Sequence, residues 1–198
     1  MEITVDQIKK LREASGAGVL DSREALKKSG GDFDKALAHL REKGLAKASK
    51  KADRRASDGV VGSYIHHNGR VAVLVEVNTE TDFVARTPEF GALAQNLAMH
   101  IAMADPRYLK PEDVPADVRD AERATYRKEA EATGKPAQVI EKIVEGKLDK
   151  FYDGVCLLRQ SYIKDDKVRI GDLVNQAVAQ LGENIVVRRF VRYEIGGE

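Results

Sequence analysis

The dipeptide Asn68-Gly69 sits between two strand-like runs, Val60 to His67 and Arg70 to Val77, and it constrains the fold more than any other feature of the chain. A two-residue hairpin turn needs positive φ, which Asn and Gly tolerate, and its twist matches that of the flanking strands. Such a turn fixes the register. It predicts Val60, Tyr64, His66, Val71, Val73, Val75 and Val77 on one face, and Ser63, His67, Arg70 and Glu76 on the other. One face is then buried and the other largely wet. His66 reads as a packing histidine on the core side.

The segment before the hairpin is helical in pattern. Thr4 and Gln7 form a capping box, with Ile3 and Ile8 as its hydrophobic staple. Val5, Ile8 and Leu11 line one face, and Gly16-Ala17-Gly18 ends the helix. Asp21 reads as the cap of a second helix, with Glu24 three residues on, and Ser29-Gly30-Gly31 stops it. Asp32 caps a third, whose apolar stripe is Phe33, Ala36, Leu37 and Leu40. Three short helices with small-residue turns predict a compact bundle that looks like the ubiquitin-associated type. Lys47, Lys50, Lys51, Arg54 and Arg55 follow as a helix end and linker. No aromatic residue interleaves with them to stack bases, so they read as a solvated linker and not as a nucleic-acid patch.

Beyond the hairpin, Thr87-Pro88 opens a strong helix with the stripe Phe90, Leu93, Ala94, Leu97, Ile101 and Ala104. Pro106, Pro111 and Pro115 mark a loop. A polar helix near Val118 to Thr133, the turn Gly134-Lys135-Pro136, and a second helix bearing Ile140, Ile143, Val144, Leu148 and Phe151 predict a helical hairpin. Val155 to Tyr162 fits either helix or strand. Lys164 to Lys167 reads as a turn, Gly171 to Gly182 as a helix, and Ile185 to Ile195 as an alternating strand that joins the first two. The predicted fold class is α+β: a helical N-terminal module and linker over residues 1–54, then a core over 55–198 with an antiparallel sheet, helices on one face, and the helical hairpin.

Composition narrows the function. Charged residues make up 33% of the 198, yet they nearly cancel, to a net charge of +1. No global field draws the chain towards nucleic acid or membrane. No apolar run is long enough for a membrane helix, and the N-terminus lacks the pattern of a signal peptide. The one cysteine, Cys156, fits a reducing compartment, so a cytoplasmic location is expected. No phosphate loop, nucleophile triad or zinc-ligand spacing occurs. The histidines are His39, His66, His67 and His100, and adjacent His66 and His67 on a strand would point to opposite faces. No catalytic residues, metal ligands or cofactors are expected, and the chain does not read as an enzyme.

One segment is odd. Asn78-Thr79-Glu80-Thr81-Asp82-Phe83-Val84-Ala85-Arg86 directly follows the apolar strand and sets a carboxylate beside an aromatic ring. Two readings are open. Thr81 or Asp82 is a helix cap with Phe83 tucked into the core, or Phe83 projects as an anchor for a partner.

Thr81-Asp82-Phe83-Val84-Ala85-Arg86 resembles a signature of the elongation factor Ts family, short bacterial form. Leu11 to Asp21, continued by Arg23-Glu24-Ala25-Leu26, resembles the family's other signature, with Ser15 where threonine is usual and Arg23 where lysine is usual. Met99-His100-Ile101-Ala102, Gly134-Lys135-Pro136, Ile143 to Leu148 and Arg189-Phe190-Val191-Arg192 extend the likeness. The resemblance implies a guanine-nucleotide exchange factor that binds GDP-loaded elongation factor Tu and expels the nucleotide. It implies that Thr81, Asp82, Phe83 and Val84 act near the magnesium and phosphate site of the GTPase, and that Arg12, Gly18, Asp21 and Arg23 belong to the segment docking the N-terminal module. Long family members carry two copies of the core half-domain. This chain has room for one, so the resemblance implies a homodimer.

Overall fold

A computed structural model describes residues 3–197. These residues fall into two compact units, one within Met1–Met99 and Asp172–Glu198, the other spanning His100–Gly171.

The first unit opens with α1 (Val5–Ser15), α2 (Val19–Lys28) and α3 (Phe33–Ser49). Thr4 caps α1 as expected. Its Oγ1 accepts from the Gln7 N–H at 3.2 Å, and the Thr4 N–H donates back to Gln7 Oε1 at 3.0 Å. Gly16 ends α1 in the left-handed conformation at φ 66°, which a residue with a Cβ adopts only under strain. Asp32 caps α3 by accepting from the Lys35 N–H. Asp21 is not a cap. Gly18 fills that position and α2 begins at Val19, so Asp21 lies within the first turn. Its carboxylate is then free to reach across to Lys43 and Lys47 on α3, at 2.9 and 3.0 Å. Leu11, Ala25, Leu26, Ala36 and Leu40 form the core of this bundle, with Ile3, Ile8, Ala17 and Leu37 packed against it. Phe33, assigned to the stripe by periodicity, stays partly exposed at the first position of α3.

The sheet has the order β1-β2-β5, all antiparallel: β1 (Asp58–Ile65), β2 (Val71–Thr79) and β5 (Val186–Glu194). The β1–β2 register is the expected one, with Val60 opposite Val77 and Tyr64 opposite Val73. The turn closes one residue earlier than a two-residue loop requires, since the Gly69 N–H donates to the His66 carbonyl at 2.8 Å. The strand therefore stops at Ile65, and alternation no longer separates His66 from His67. Their rings meet edge-on with centroids 4.2 Å apart, not on opposite faces. Tyr64 Oη lies 3.1 Å from His66 Nδ1, which gives the histidine a local partner.

Val73, Val75 and Val77 are fully buried, as are Phe90 and Leu97 of α5 (Pro88–Ala104). Gly62 permits the close approach of strand and helix: a Cβ there would lie 2.6 Å from the Ala94 carbonyl oxygen. On the opposite face, Ile65 pairs with Ala72 and Ala72 with Tyr193, while Leu74 stands beside Ser63 and Val191. Ile65 is 71% exposed and Tyr193 69%, so an apolar patch is left open across all three strands. The strand β5 joins the sheet as expected, but a bulge opposite Glu76 and Val77 resets its alternation. Val187 and Phe190, three residues apart, both align with inward residues of β2, so Arg188 and Arg189 share one step of the ladder. Arg189 Nε then donates to Glu76 Oε2 at 2.8 Å.

The second unit contains the end of α5, a 3-10 turn at Pro111–Asp113, α6 (Ala116–Glu131) and α7 (Ala137–Val155). The expected helical hairpin forms about buried Ala130, Val144 and Leu148. Exposed ion pairs line it, Arg123–Glu145 at 2.9 Å, Arg127–Glu141 at 2.7 Å, and Lys147 with Glu129. Each is worth about 0–1 kcal/mol, so packing and not charge holds the hairpin. The ambiguous stretch after α7 resolves into a 3-10 turn at Leu157–Arg159 and the short β3 (Ser161–Tyr162). Lys164 to Lys167 is not simply a turn. Asp165 begins β4 (Asp165–Arg169), which pairs with β3, and the chain reverses one step earlier. The last helix, α8 (Ile170–Leu181), leads back to the first unit. Among the described residues, no helix is long and apolar enough to cross a membrane.

Candidate functional site

The central strand β2 ends at Thr79, which is fully buried. The chain leaves the sheet through Glu80 and Thr81 and enters α4 (Asp82–Ala85), a single helical turn. Thr81 is its N-cap, with Oγ1 accepting from the Val84 N–H at 3.4 Å. Ala85 is buried and anchors the inner side. Phe83, one step round the turn, is 85% exposed. Of the two readings the sequence left open for this ring, the core placement is therefore excluded. Asp82 is exposed too and pairs with Arg86 at 2.9 Å.

A four-residue helix has too few hydrogen bonds to hold itself. Its neighbours hold this one. On the far side, Thr87 Oγ1 donates to the Val84 carbonyl at 2.8 Å and accepts from the Phe90 N–H at 3.3 Å, joining α4 to the start of α5. On the near side stands Glu183, in the loop between α8 and β5. Its Oε2 accepts from Thr79 Oγ1 at 2.8 Å, the Glu80 N–H at 3.1 Å and the Thr81 N–H at 3.0 Å, and its Oε1 accepts from Thr81 Oγ1 at 2.7 Å. Burial alone would raise the Glu183 pKa. The hydrogen bonds from both threonine side chains and both backbone N–H groups outweigh it and hold the carboxyl below its ordinary range. The carboxylate is ionised at neutral pH.

Asn184 completes the arrangement from the next position. Its N–H donates to Glu80 Oε1 at 2.7 Å, and its Nδ2 donates to the carbonyls of Ala52 and Arg54 at 3.2 and 2.8 Å. Neither Glu183 nor Asn184 was found by sequence reasoning. A Gly-Glu-Asn run between a helix and a strand reads as an ordinary turn, and its partners lie more than a hundred residues away.

The N-terminal candidates divide. Arg12, Gly18 and Arg23 are exposed around the α1–α2 corner. Asp21 is not free in the same way, because Lys43 and Lys47 take up its carboxylate and lower its pKa. Two apolar residues at the start of α2 were not singled out by the sequence. Leu20 is 79% exposed, and Val19 beside it is half exposed. The basic linker is partly committed: Lys47 to Asp21, Lys51 to the Gly182 carbonyl and Arg54 to Glu80.

The turn holds no nucleophile paired with a base. Among the described residues, no group of three or more His, Cys, Asp or Glu could hold a metal ion. What the turn presents is a solvent-exposed aromatic ring and a carboxylate on a braced backbone, which is the chemistry of a protein contact.

Comparison with known proteins is consistent along the chain. A sequence model of the elongation factor TS family matches residues 7–197. Elongation factor Ts of Fervidobacterium nodosum is 54% identical over 196 residues, covering 99% of this chain and 100% of its own. The protein of the same name from Thermotoga neapolitana is 54% identical over 198 residues, all of both chains. That from Geobacter metallireducens is 54% identical over 99% of this chain and 91% of its own. The braced Thr81–Val84 turn and these matches agree: the chain belongs to the elongation factor Ts family.

Proposed function

We propose that this chain is a guanine-nucleotide exchange factor of translation elongation, working in the cytoplasm. It binds GDP-loaded elongation factor Tu, displaces magnesium and GDP, and leaves when GTP binds. The observation that carries the reading is Phe83, an 85% exposed aromatic side chain on a turn braced from both ends. An exposed phenylalanine contributes little to its own fold. It has the size and rigidity of an interface anchor. Phe83 and Asp82 push against the GTPase near its magnesium and phosphate site, with Thr81 and Val84 fixing the turn that carries them.

Exchange of this kind is negative coupling between two ligands on one GTPase. If the factor binds the nucleotide-free form more tightly, the nucleotide weakens the factor's binding by the same factor. A coupling of about 3 kcal/mol changes each affinity over a hundredfold. No covalent step is involved, so the chain is not an enzyme and works without a cofactor.

The N-terminal module, residues 1–54, docks on the same GTPase through the α1–α2 corner. Arg12, Gly18 and Arg23 are exposed there, and Leu20 adds apolar surface. Asp21 acts by holding the corner to α3 through Lys43 and Lys47. The open apolar face of the sheet supports a homodimer in which a second copy covers Ile65, Leu74 and Tyr193. The test is release of fluorescent GDP from elongation factor Tu. Addition of this chain accelerates it, and an unchanged release rate would overturn the proposal.

A further inference from the structure

We infer that Glu183 is a positioning residue for exchange: through the Thr79–Thr81 segment it sets where Asp82 and Phe83 stand, and Asn184 locks that setting to the end of the N-terminal linker. The inference rests on the proposed role of the turn and goes beyond it.

The turn that carries Phe83 has one short helix and no core of its own. Three donors converge on one oxygen of Glu183, the Thr79 hydroxyl and the N–H groups of Glu80 and Thr81. The other oxygen takes the Thr81 hydroxyl. A carboxylate held in this way fixes both the position and the direction of the backbone just before the N-cap. The bonding is reciprocal. Glu80 donates its N–H to Glu183, and its own carboxylate accepts the Asn184 N–H at 2.7 Å. The two segments therefore cannot slide past each other without breaking bonds in both directions. Arg54 Nη1 lies 3.6 Å from that same Glu80 carboxylate, and Asn184 Nδ2 holds the Arg54 and Ala52 carbonyls. The linker is thereby tied to the turn through two adjacent residues.

Among the described residues Glu183 forms no ion pair, and its side chain caps no helix. Its four partners all belong to the three residues that lead into the Asp82–Phe83 turn.

The inference separates geometry from charge, and three substitutions in the full chain test it. Glu183→Gln keeps the reach and one acceptor oxygen for the Oε2 donors, loses the charge, and turns an amide N–H towards the Thr81 hydroxyl oxygen, which can accept it. Glu183→Asp keeps the charge and loses the reach. Glu183→Ala loses both. Each is measured for GDP release from elongation factor Tu over a range of factor concentration, and for hydrogen exchange at the amides of Glu80 and Thr81 without the GTPase. Positioning predicts that Glu183→Gln stays close to the parent in both. It predicts that Glu183→Ala and Glu183→Asp lose amide protection, and that their maximal release rate falls roughly tenfold to a hundredfold, the scale on which an ångström of misplacement acts. Melting curves on the same samples identify a variant that has lost its fold, in which case the Gln and Asp pair decides.

If Glu183→Asp matches the parent while Glu183→Gln fails, charge and not position matters, and the inference is overturned. It is also overturned if protection is lost and the release rate is kept. Phe83→Ala, run alongside, keeps the two ideas apart. If it leaves release unchanged, the role of the turn itself is wrong. If it slows release while Glu183→Ala and Glu183→Asp do not, the positioning role alone is wrong.

Discussion

His100 Nε2 lies 3.1 Å from Gln160 Oε1, and the surroundings fix the direction of that hydrogen bond. The Gln160 amide nitrogen donates to the carbonyls of Ala104 and Gly154, so its oxygen faces the ring. The Ile163 N–H donates to His100 Nδ1 at 3.3 Å, so Nε2 carries the ring's one hydrogen. The imidazole is buried and neutral. Burial lowers its pKa below the ordinary 6.5, against a smaller upward push from Gln160. A histidine whose folded pKa lies below its unfolded one contributes stability above the unfolded value and loses it as pH falls towards the folded value. The unfolding free energy measured from pH 8 down to about 5 is expected to drop below pH 6.5, by up to about 1.4 kcal/mol per pH unit from this group. His100→Gln is expected to flatten that slope. An equal slope in the variant would locate the sensitivity elsewhere.

Phe83→Ala is expected to leave the melting midpoint unchanged and to reduce accelerated GDP release strongly. A buried phenylalanine would behave differently, since its truncation costs about 3–5 kcal/mol. Asp82→Ala should act in the same direction, and the loss of its exposed pair with Arg86 should cost the fold only about 0–1 kcal/mol. The double variant should be less than additive if both residues move one element of the GTPase. A Phe83→Ala protein that melts early yet exchanges nucleotide at the parent rate would refute the assignment.

Leu74→Arg places a charge in the middle of the open sheet face, beside Ser63 and Val191. Sedimentation at micromolar concentration is expected to give a dimer for the parent and the 21.8 kDa monomer for the variant, with little change in melting. A parent that sediments only as a monomer refutes the dimer. Cys156 is not expected to bridge the two subunits. The thiol is fully buried, and burial pushes its pKa up to about 11. Non-reducing gels of the folded protein should show no cross-linked species.

Removing residues 1–54 is expected to weaken binding to elongation factor Tu while the remaining chain stays folded. It also removes the Ala52 and Arg54 carbonyls that accept from Asn184. A chain shortened only by residues 1–49 keeps them. It should melt higher than the first, being the more stable by roughly 1–3 kcal/mol because the Asn184 donors stay met. Complete unfolding of both shortened chains would show that the helical module does not stand apart.

Legibility in the sequence followed the range of the interaction. The Asn68-Gly69 register and the caps at Thr4 and Asp32 were readable because each is settled within a few residues. The third strand was readable from polarity alone, but its bulge was not: adjacent Arg188 and Arg189 break the alternation without showing which of them is the extra residue. Asp21 carried the chemistry of a cap, and the helix began before it because Gly18 served instead. The β3–β4 hairpin hid under charge, where Lys164 to Lys167 offered no alternation to detect. At the turn, Phe83 could face either way until Ala85 took the inner side. Glu183 was invisible for the plainest reason, its distance along the chain from Thr79 and Thr81.

Gly62 has a consequence for anyone mapping this surface by random mutagenesis. The helix it lets approach begins at Pro88, just past the turn that bears Phe83. A larger residue at 62 sets its Cβ against the Ala94 carbonyl and forces strand or helix to shift, and the Thr87 hydrogen bonds are expected to pass that shift to the turn. On the proposed function, a growth screen is expected to score position 62 as though it were a contact residue, although it is buried beneath a helix. Its signature would be a lowered melting midpoint that substitutions of Val61 and Ser63 on either side, whose side chains face away from the helix, do not share.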